Sequence, residues 1–297
     1  YQARFVEACR KAGIRADVLD PEEARRLEPA ANPALIGAVR VPDGAVDPFR
    51  LTSSNILDAT AHGAEIRTYT EVRELIREQD RIVGVKAYDY RTHAELEFRA
   101  QVVVNAGGIW GHGIAAKAGI TVNMLPAKGA LLIFGHRVNR MVLNRCRKPA
   151  DADILVPGDT ISLIGTTSSK VDLLLREGEK LSPLLARTRI LRAYAGVRPL
   201  VASDDDPSGR TVSRGIVLLD HATRDGMEGF ITITGGKLMT YRLMAEWATD
   251  LICKKIGNDG KCRTAEIPLP GSTESREEVD RKTRNKPIAQ RRSSIAR

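Results

Sequence analysis

Phe230 to Thr234 alternate apolar and polar residues as a short strand does. Gly235-Gly236 break the alternation, and Leu238, Leu243, Met244, Trp247, Leu251 and Ile252 then recur at helical spacing. The pattern predicts strand, glycine turn, helix. A second junction of this type lies earlier: Gln101-Val-Val-Val-Asn105 is a continuous apolar run ending in Ala106-Gly107-Gly108, as expected of a parallel strand buried on both faces. In chain order, Phe5, Val6, Cys9 and Ile14 mark an amphipathic helix, and Asp20-Pro21-Glu22-Glu23 is a helix start with Asp as cap and Pro at the first position. Residues 34–41 read as a strand before the turn Pro42-Asp43-Gly44, and Asp47-Pro48 opens a helix through Leu51, Ile56 and Leu57. Strands over 64–69, 72–76, 82–88 and 94–98 suggest a meander. Further strands are predicted over 131–134, 154–156 and 161–164, the last two joined as a hairpin by Pro157-Gly158-Asp159-Thr160. A helix over 172–185, a strand over 190–197 ending at Arg198-Pro199, and a strand over 216–219 complete the pattern, which lapses past Pro268-Leu269-Pro270-Gly271.

The chain has 297 residues, enough for one large or two interleaved domains, and 42% hydrophobic with 28% charged residues excludes a disordered or fibrous chain. A net charge of +9 and a pI near 9.5 raise nucleic acid or an anionic membrane as partners. Aromatic residues are only 4%, and the bases are scattered among acids, so stacking platforms are hard to build and nucleic acid is not expected as a partner. The excess of bases is concentrated beyond Arg276, and residues 272–297 are expected to form a basic, disordered tail. Cys9, Cys146, Cys253 and Cys262 form no C-x-x-C pair and have no His at ligand spacing; no metal is expected, and reduced thiols in a cytoplasmic setting are. No apolar run approaches the roughly 20 residues that span a bilayer, so any membrane association would be peripheral.

Lys237 is the unusual residue of the first junction. A cation in a helix's first turn opposes the macrodipole by about 0.3–1 kcal/mol unless an anion lies ahead of it. The same residues also fit an ordinary tight connection with Lys237 in water. Arg198, expected at the end of one strand, and Arg214, expected at the start of another, add two forked cations suited to phosphate or carboxylate, and three cations at strand ends of one sheet could converge on a small anion. For each singly, a surface ion pair, such as with Asp204 to Asp206, is the simpler reading. Gly111-His-Gly113-Ile-Ala-Ala116 fits G-x-G-x-x-A formally, but Gly107-Gly108 already occupy the turn after the strand and no acid follows about 20 residues on; these glycines are expected in the first turn of a helix.

Gly235 to Arg242 resembles the turn that places the pyrimidine edge of FAD in the glycerol-3-phosphate dehydrogenase branch of the D-amino-acid-oxidase-like flavoproteins, and Val102 to Trp110 resembles the second FAD segment of the same family, commonly Ala-Gly-x-Trp. The runs 36–50, 143–160 and 194–206 are similar to the large catalytic subunits of the anaerobic members. The resemblance covers residues 1–271. It implies an α/β fold in which a truncated FAD-binding Rossmann-like domain is interleaved with an antiparallel-sheet substrate domain. It implies FAD held by Val72, Ala106, Gly107, Gly108, Trp110, Gly235, Gly236, Leu238, Met239 and Thr240. Arg198, Arg214 and Lys237 would bind glycerol 3-phosphate, with Lys237 beside flavin and substrate.

The implied reaction takes hydride from C2 of glycerol 3-phosphate to flavin, gives dihydroxyacetone phosphate, and delivers electrons to a quinone. Electron-transfer and membrane-anchor subunits would hold the complex on the cytoplasmic face of the inner membrane. Aerobic relatives carry a His two residues after a Lys-Gly pair, whereas Lys128-Gly129 is followed by Ala130 and Leu131, so the proton base is unassigned. Three other departures stand out. The family's G-x-G-x-x-G strand falls before Tyr1, the acidic stretch after Gly165-Thr166-Thr167-Ser168 is missing, and the C-terminal cysteine-rich region falls beyond Arg297. The expectation is a partial chain, inactive by itself. An amine or amino-acid oxidase gripping a carboxylate, and a non-catalytic remnant, are the competing readings.

Overall fold

The computed structural model describes residues 1–147, 154–167, 171–201, 215–270 and 272. Arg214, Asp204 to Asp206 and the tail beyond Ser272 lie outside the described residues. In chain order the elements are α1 (Gln2–Lys11), β1 (Asp17–Leu19), α2 (Pro21–Leu27), β2 (Ala38–Arg40), α3 (Pro48–Ala61), β3 (Thr70–Glu78), β4 (Arg81–Asp89), β5 (Ala94–Arg99), β6 (Val103–Asn105) and α4 (Gly111–Ala116). They continue with β7 (Met124–Phe134), β8 (Leu143–Asn144), β9 (Ile154–Pro157), β10 (Ser162–Thr167), α5 (Val171–Glu179), β11 (Ile190–Val201), β12 (Ile216–Asp220), α6 (His221–Asp225), β13 (Phe230–Gly235) and α7 (Tyr241–Ile256). The chain divides into two compact units that exchange segments: one takes Tyr1–Val46, Gly107–His112 and Val122–Arg214, the other Asp47–Ala106, Gly113–Thr121 and Gly215–Arg297.

The first unit is built on an antiparallel sheet in the order β11-β7-β10-β9-β8, with β1 and β2 paired separately. Leu132 and Phe134 of β7, Leu155 of β9 and Ile164 of β10 bury one face of the sheet completely, and Leu174 of α5 with Leu185 of the following 3₁₀ turn cover it. The helix comes close because Gly178 has no side chain; a Cβ there would lie 2.4 Å from Ile164 Cδ1. Asp20 caps α2 by accepting hydrogen bonds from the Glu22 and Glu23 amides at 2.8 and 2.9 Å. Just after α2, the buried Glu28 carboxylate accepts from the amides of Arg140 and Met141 at 2.6 and 2.8 Å, tying the first segment of this unit to its last. Glu177 on α5 pairs with Lys180 (2.6 Å) and Arg145, and lies 3.3 Å from Arg147; Lys180, then Arg145, hold its carboxyl down to about 2.

In the second unit β3, β4 and β5 form the expected antiparallel meander, and a second sheet has the order β12-β13-β6. β13 pairs antiparallel with β12 and parallel with β6. The meander joins this sheet at Gly229, whose φ of +69° lets the chain pass so close to β4 that a Cβ would meet the Ile82 carbonyl oxygen at 2.2 Å. Lys255 of α7 pairs with Asp220 of β12 at 2.9 Å. Asp47 caps α3 as expected, accepting from Phe49 and Arg50 amides, yet no residue of α3 is buried and Phe49 is 82% exposed.

Several boundaries differ from the sequence pattern. No strand forms over 64–69, where Tyr69 takes a left-handed φ of 59°, and β3 opens at Thr70, two residues before the strand expected over 72–76. The helix predicted over 172–185 ends at Glu179, and Pro183 opens a separate 3₁₀ turn. β7 begins at Met124, and β11 runs through Arg198 and Pro199 to Val201. Pro199 is tolerated because β11 is an edge strand.

Candidate cofactor and anion site

β6 and β13 lie side by side and run the same way, with Val103 opposite Phe230, Val104 opposite Ile231 and Asn105 opposite Thr232. Their following connections therefore leave from the carboxyl end of one sheet, the place where open α/β sheets hold ligands. Both connections have the same design: a left-handed glycine, one 3₁₀ turn, then a helix. Gly108 has φ +54° before Gly108–Trp110 leads into α4, and Gly235 and Gly236 have φ +72° and +68° before Leu238–Thr240 leads into α7. A Cβ on Gly235 would meet the Gly215 carbonyl oxygen at 2.4 Å, and one on Gly236 would meet Met244 Sδ at 2.7 Å and Thr240 Oγ1 at 2.9 Å. Only glycine satisfies both the backbone and the space. Gly111 and Gly113 fall in the first turn of α4, not in a dinucleotide turn.

Lys237 sits where the sequence pattern did not put it. Its backbone is extended (φ −129°, ψ 160°) ahead of the 3₁₀ turn, and α7 begins only at Tyr241. Thr240 closes this turn, its Oγ1 accepting from the Lys237 amide at 3.0 Å and donating to the Lys237 carbonyl at 2.8 Å. The two left-handed glycines displace the helix start, so opposition to the macrodipole no longer bears on Lys237. Its side chain is exposed, and among the described residues no carboxylate lies within ion-pair distance.

A buried polar chain that the sequence pattern did not disclose runs beneath the two strands. Asp225 Oδ2 lies 2.6 Å from His221 Nδ1, His221 Nε2 lies 2.7 Å from Thr232 Oγ1, and Asn105 Nδ2 donates to Thr232 Oγ1 at 3.2 Å. A carboxylate only accepts, so Nδ1 carries a proton; the Thr232 hydroxyl, receiving from Asn105, can give its own proton to Nε2, and a neutral ring matches every donor to an acceptor. His221 is fully buried and stacks on Phe230 at 4.9 Å. The chain joins β6 to β13 just before both turns. Its only sequence signal was His221 and Asp225 one helical turn apart after the helix cap Asp220. Two positions further along β13, buried Thr234 Oγ1 has no hydrogen-bond partner among the described residues. A buried hydroxyl left without a partner beside a glycine turn is what a polar edge of a ligand would satisfy. Leu238 and Met239, exposed by 51 and 77% on the turn after β13, present apolar surface for a flat ring system, and Trp110 on the turn after β6 is 75% exposed. These features fit a flavin dinucleotide.

Val72 lies in β3 opposite Ala87, at a bulge before Glu74, and is half-buried. Arg198 lies within β11, not at its end, and its partner across the pair is Ala127. The expectation that Arg198 and Lys237 stand at strand ends of one sheet is corrected: β11 belongs to the five-stranded sheet and β13 to the three-stranded one. Arg214 is outside the described residues. Arg198 Nη1 approaches the Lys128 carbonyl oxygen at 3.5 Å, and among the described residues no carboxylate pairs with it. The 3₁₀ turn Gly108–Trp110 packs against β11, the strand that carries Arg198. Among the described residues no group of three or more His, Cys, Asp or Glu is placed to hold a metal, and no helix is long and apolar enough to cross a membrane.

A strand-to-turn pair of this kind, with an antiparallel sheet interleaved along the chain, defines a flavoprotein oxidoreductase fold. The chain belongs to the FAD dependent oxidoreductase family (DAO), whose model matches residues 1–242. It is 63% identical over 312 aligned residues to one subunit of the anaerobic glycerol-3-phosphate dehydrogenase of Haemophilus influenzae, covering all of this chain and 55% of that protein. To the protein of the same name from Escherichia coli K12 it is 61% identical, covering all of this chain and 58% of that protein. The chain thus spans just over half the length of the curated relatives it matches. Among solved structures, the glycerol-3-phosphate dehydrogenase from Bacillus halodurans complexed with FAD superposes with a TM-score of 0.68 at 24% identity, over 91% of this chain and 58% of that one. Glycine oxidase from Geobacillus kaustophilus follows at 0.66 and 21%, over 92 and 71%. These two show the fold.

Proposed function

We propose that this chain forms the second half of the FAD site and the substrate sheet of an FAD-dependent glycerol-3-phosphate dehydrogenase. The enzyme oxidises sn-glycerol 3-phosphate to dihydroxyacetone phosphate and passes electrons, through further subunits, to a quinone. The observation that carries the reading is the parallel register of β6 and β13, which brings two left-handed glycine turns off one sheet end. The identity over the whole of this chain to parts of two proteins named for this reaction supports it. FAD when bound supplies the two-electron acceptor.

Gly235, Gly236, Leu238, Met239 and Thr240 would hold the flavin edge, while Ala106, Gly107, Gly108, Trp110 and Val72 would hold the remainder of the cofactor. Arg198, Lys237 and Arg214 would bind the substrate phosphate, and Lys237, exposed and unpaired among the described residues, would keep the cofactor and substrate charges balanced. Further subunits would place the enzyme on the cytoplasmic face of the inner membrane. The test is dye reduction by the full-length protein with glycerol 3-phosphate, glycine and D-amino acids supplied separately. Reduction with glycerol 3-phosphate alone supports the reading; reduction only with an amine substrate would replace it with an amino-acid oxidase.

A further inference from the structure

We infer that Gly129 is the seat of Arg198, a positioning residue whose missing side chain sets where the anion-binding guanidinium lies. β7 and β11 pair antiparallel, with Gly196 opposite Gly129, Val197 opposite Lys128 and Arg198 opposite Ala127. Partners across a pair share a face, so Arg198 and Gly129 are diagonal neighbours within reach of a long side chain. The guanidinium lies directly against Gly129. A Cβ built on that glycine would stand 2.6 Å from Arg198 Nη2 and 2.9 Å from both Cζ and Nη1.

The backbone does not ask for glycine at this position. Its φ is outside the left-handed region, and no other atom is among the three nearest to the added Cβ. Glycine inside a strand weakens it, and its presence often marks a close approach. Among the described residues, a Cβ built on the opposing Gly196 would meet nothing within 4 Å, so none of them fills the floor beside the guanidinium. Arg198 has five N–H donors, and among the described residues its one acceptor is the Lys128 carbonyl at 3.5 Å. The cation is held by the shape of the strand and is left unneutralised among the described residues, the condition for meeting an incoming anion. An alanine at 129 would push the guanidinium off the strand. Because the displaced atoms are the tip of a flexible side chain, the sheet itself would stand.

The inference rests on the reading of Arg198 as a substrate-anion residue, and the experiment separates the two. Wild type, Gly129→Ala, Arg198→Ala and the double variant of the full-length holoenzyme are assayed with glycerol 3-phosphate and with uncharged glycerol. Gly129→Ala is expected to raise KM for glycerol 3-phosphate about tenfold or more, the ratio that one charge-assisted hydrogen bond carries, with kcat/KM for glycerol unchanged. In the Arg198→Ala background the same methyl has no guanidinium to displace, so the double variant should match Arg198→Ala alone. A Gly129→Ala effect that persists undiminished in that background overturns the seat, as does a Gly129→Ala enzyme with wild-type KM while Arg198→Ala is impaired. If Arg198→Ala itself leaves KM unchanged, the substrate assignment falls and the seat falls with it. If Gly129→Ala fails to fold, folding restored by the second substitution supports the seat, and failure of both overturns it.

Discussion

A buried hydroxyl without a partner costs about 1–3 kcal/mol, and Thr234 leaves its hydroxyl so, one residue before the glycine pair. Thr234→Val should therefore raise the melting temperature of the FAD-free protein while weakening FAD retention in the full-length enzyme. Melting curves and flavin titration check the two signs separately, and unchanged FAD affinity would reduce the hydroxyl to a defect of the fold. The glycine pair itself allows a ranking. Both positions carry the cost of a left-handed backbone, roughly 1–2 kcal/mol for any other residue. The Cβ of Gly235→Ala would meet a carbonyl oxygen fixed in β12's approach, whereas that of Gly236→Ala would meet only side-chain ends, Met244 Sδ, which can swing away, and Thr240 Oγ1. Gly235→Ala should thus be the more destabilising in urea titration. At this scale the glycines and both Asp caps were legible in the sequence because their demands are local. Thr234, and the His221 chain that reaches Asn105 across 127 positions, were not, because only strand pairing brings those atoms together.

Among the elements, α5 carries the clearest pH dependence. Glu177, on its last turn, has an ordinary carboxyl value of 4.5 and a folded value of about 2, set first by Lys180 and then by Arg145. Its stabilisation is complete above about 4.5 and is lost as pH falls toward about 2. Glu177→Gln should therefore lower stability at neutral pH and flatten the decline over that acid range, read as urea midpoints of the two proteins. Caps offer a second check at element scale: Asp20→Ala should cost about 0.5–2 kcal/mol, because α2 carries buried Ala24 and leads into buried Glu28. Elements whose limits depend on local chemistry, such as α2 and α3, began where the sequence placed them. β7 did not, because Pro126, Lys128 and Gly129 disguise its first half, and pairing with β11 over eleven positions makes it a strand. β1 has three residues, too few for any periodicity to show.

For the molecule as a whole, apolar surface stands where a partner would be expected. Phe49 is 82% exposed and Leu57 51% on α3, a helix with no buried residue, and Ile36 is 96% exposed elsewhere. Expressed as these 297 residues, the protein should bind the dye ANS and scatter light increasingly with concentration; a dye-silent monomer would contradict this. Interleaving of an α/β part with an antiparallel sheet was implied in advance by the family resemblance, but the exchange of segments at Gly107–His112 and Gly113–Thr121 was not legible, because it follows from which contacts close. That exchange governs the order of events on the ribosome. β6 emerges before most of the five-stranded sheet exists, and its neighbour β13 follows 127 positions later, measured from Asn105 to Thr232. At about 5–20 residues per second, a nascent chain would hold β6 without its β13 partner for roughly 6–25 s. The unit that holds β6 cannot close until the segment from Gly215 onward has been made, so the chain's yield in a cell depends on what shelters Val103 and Val104 during that wait.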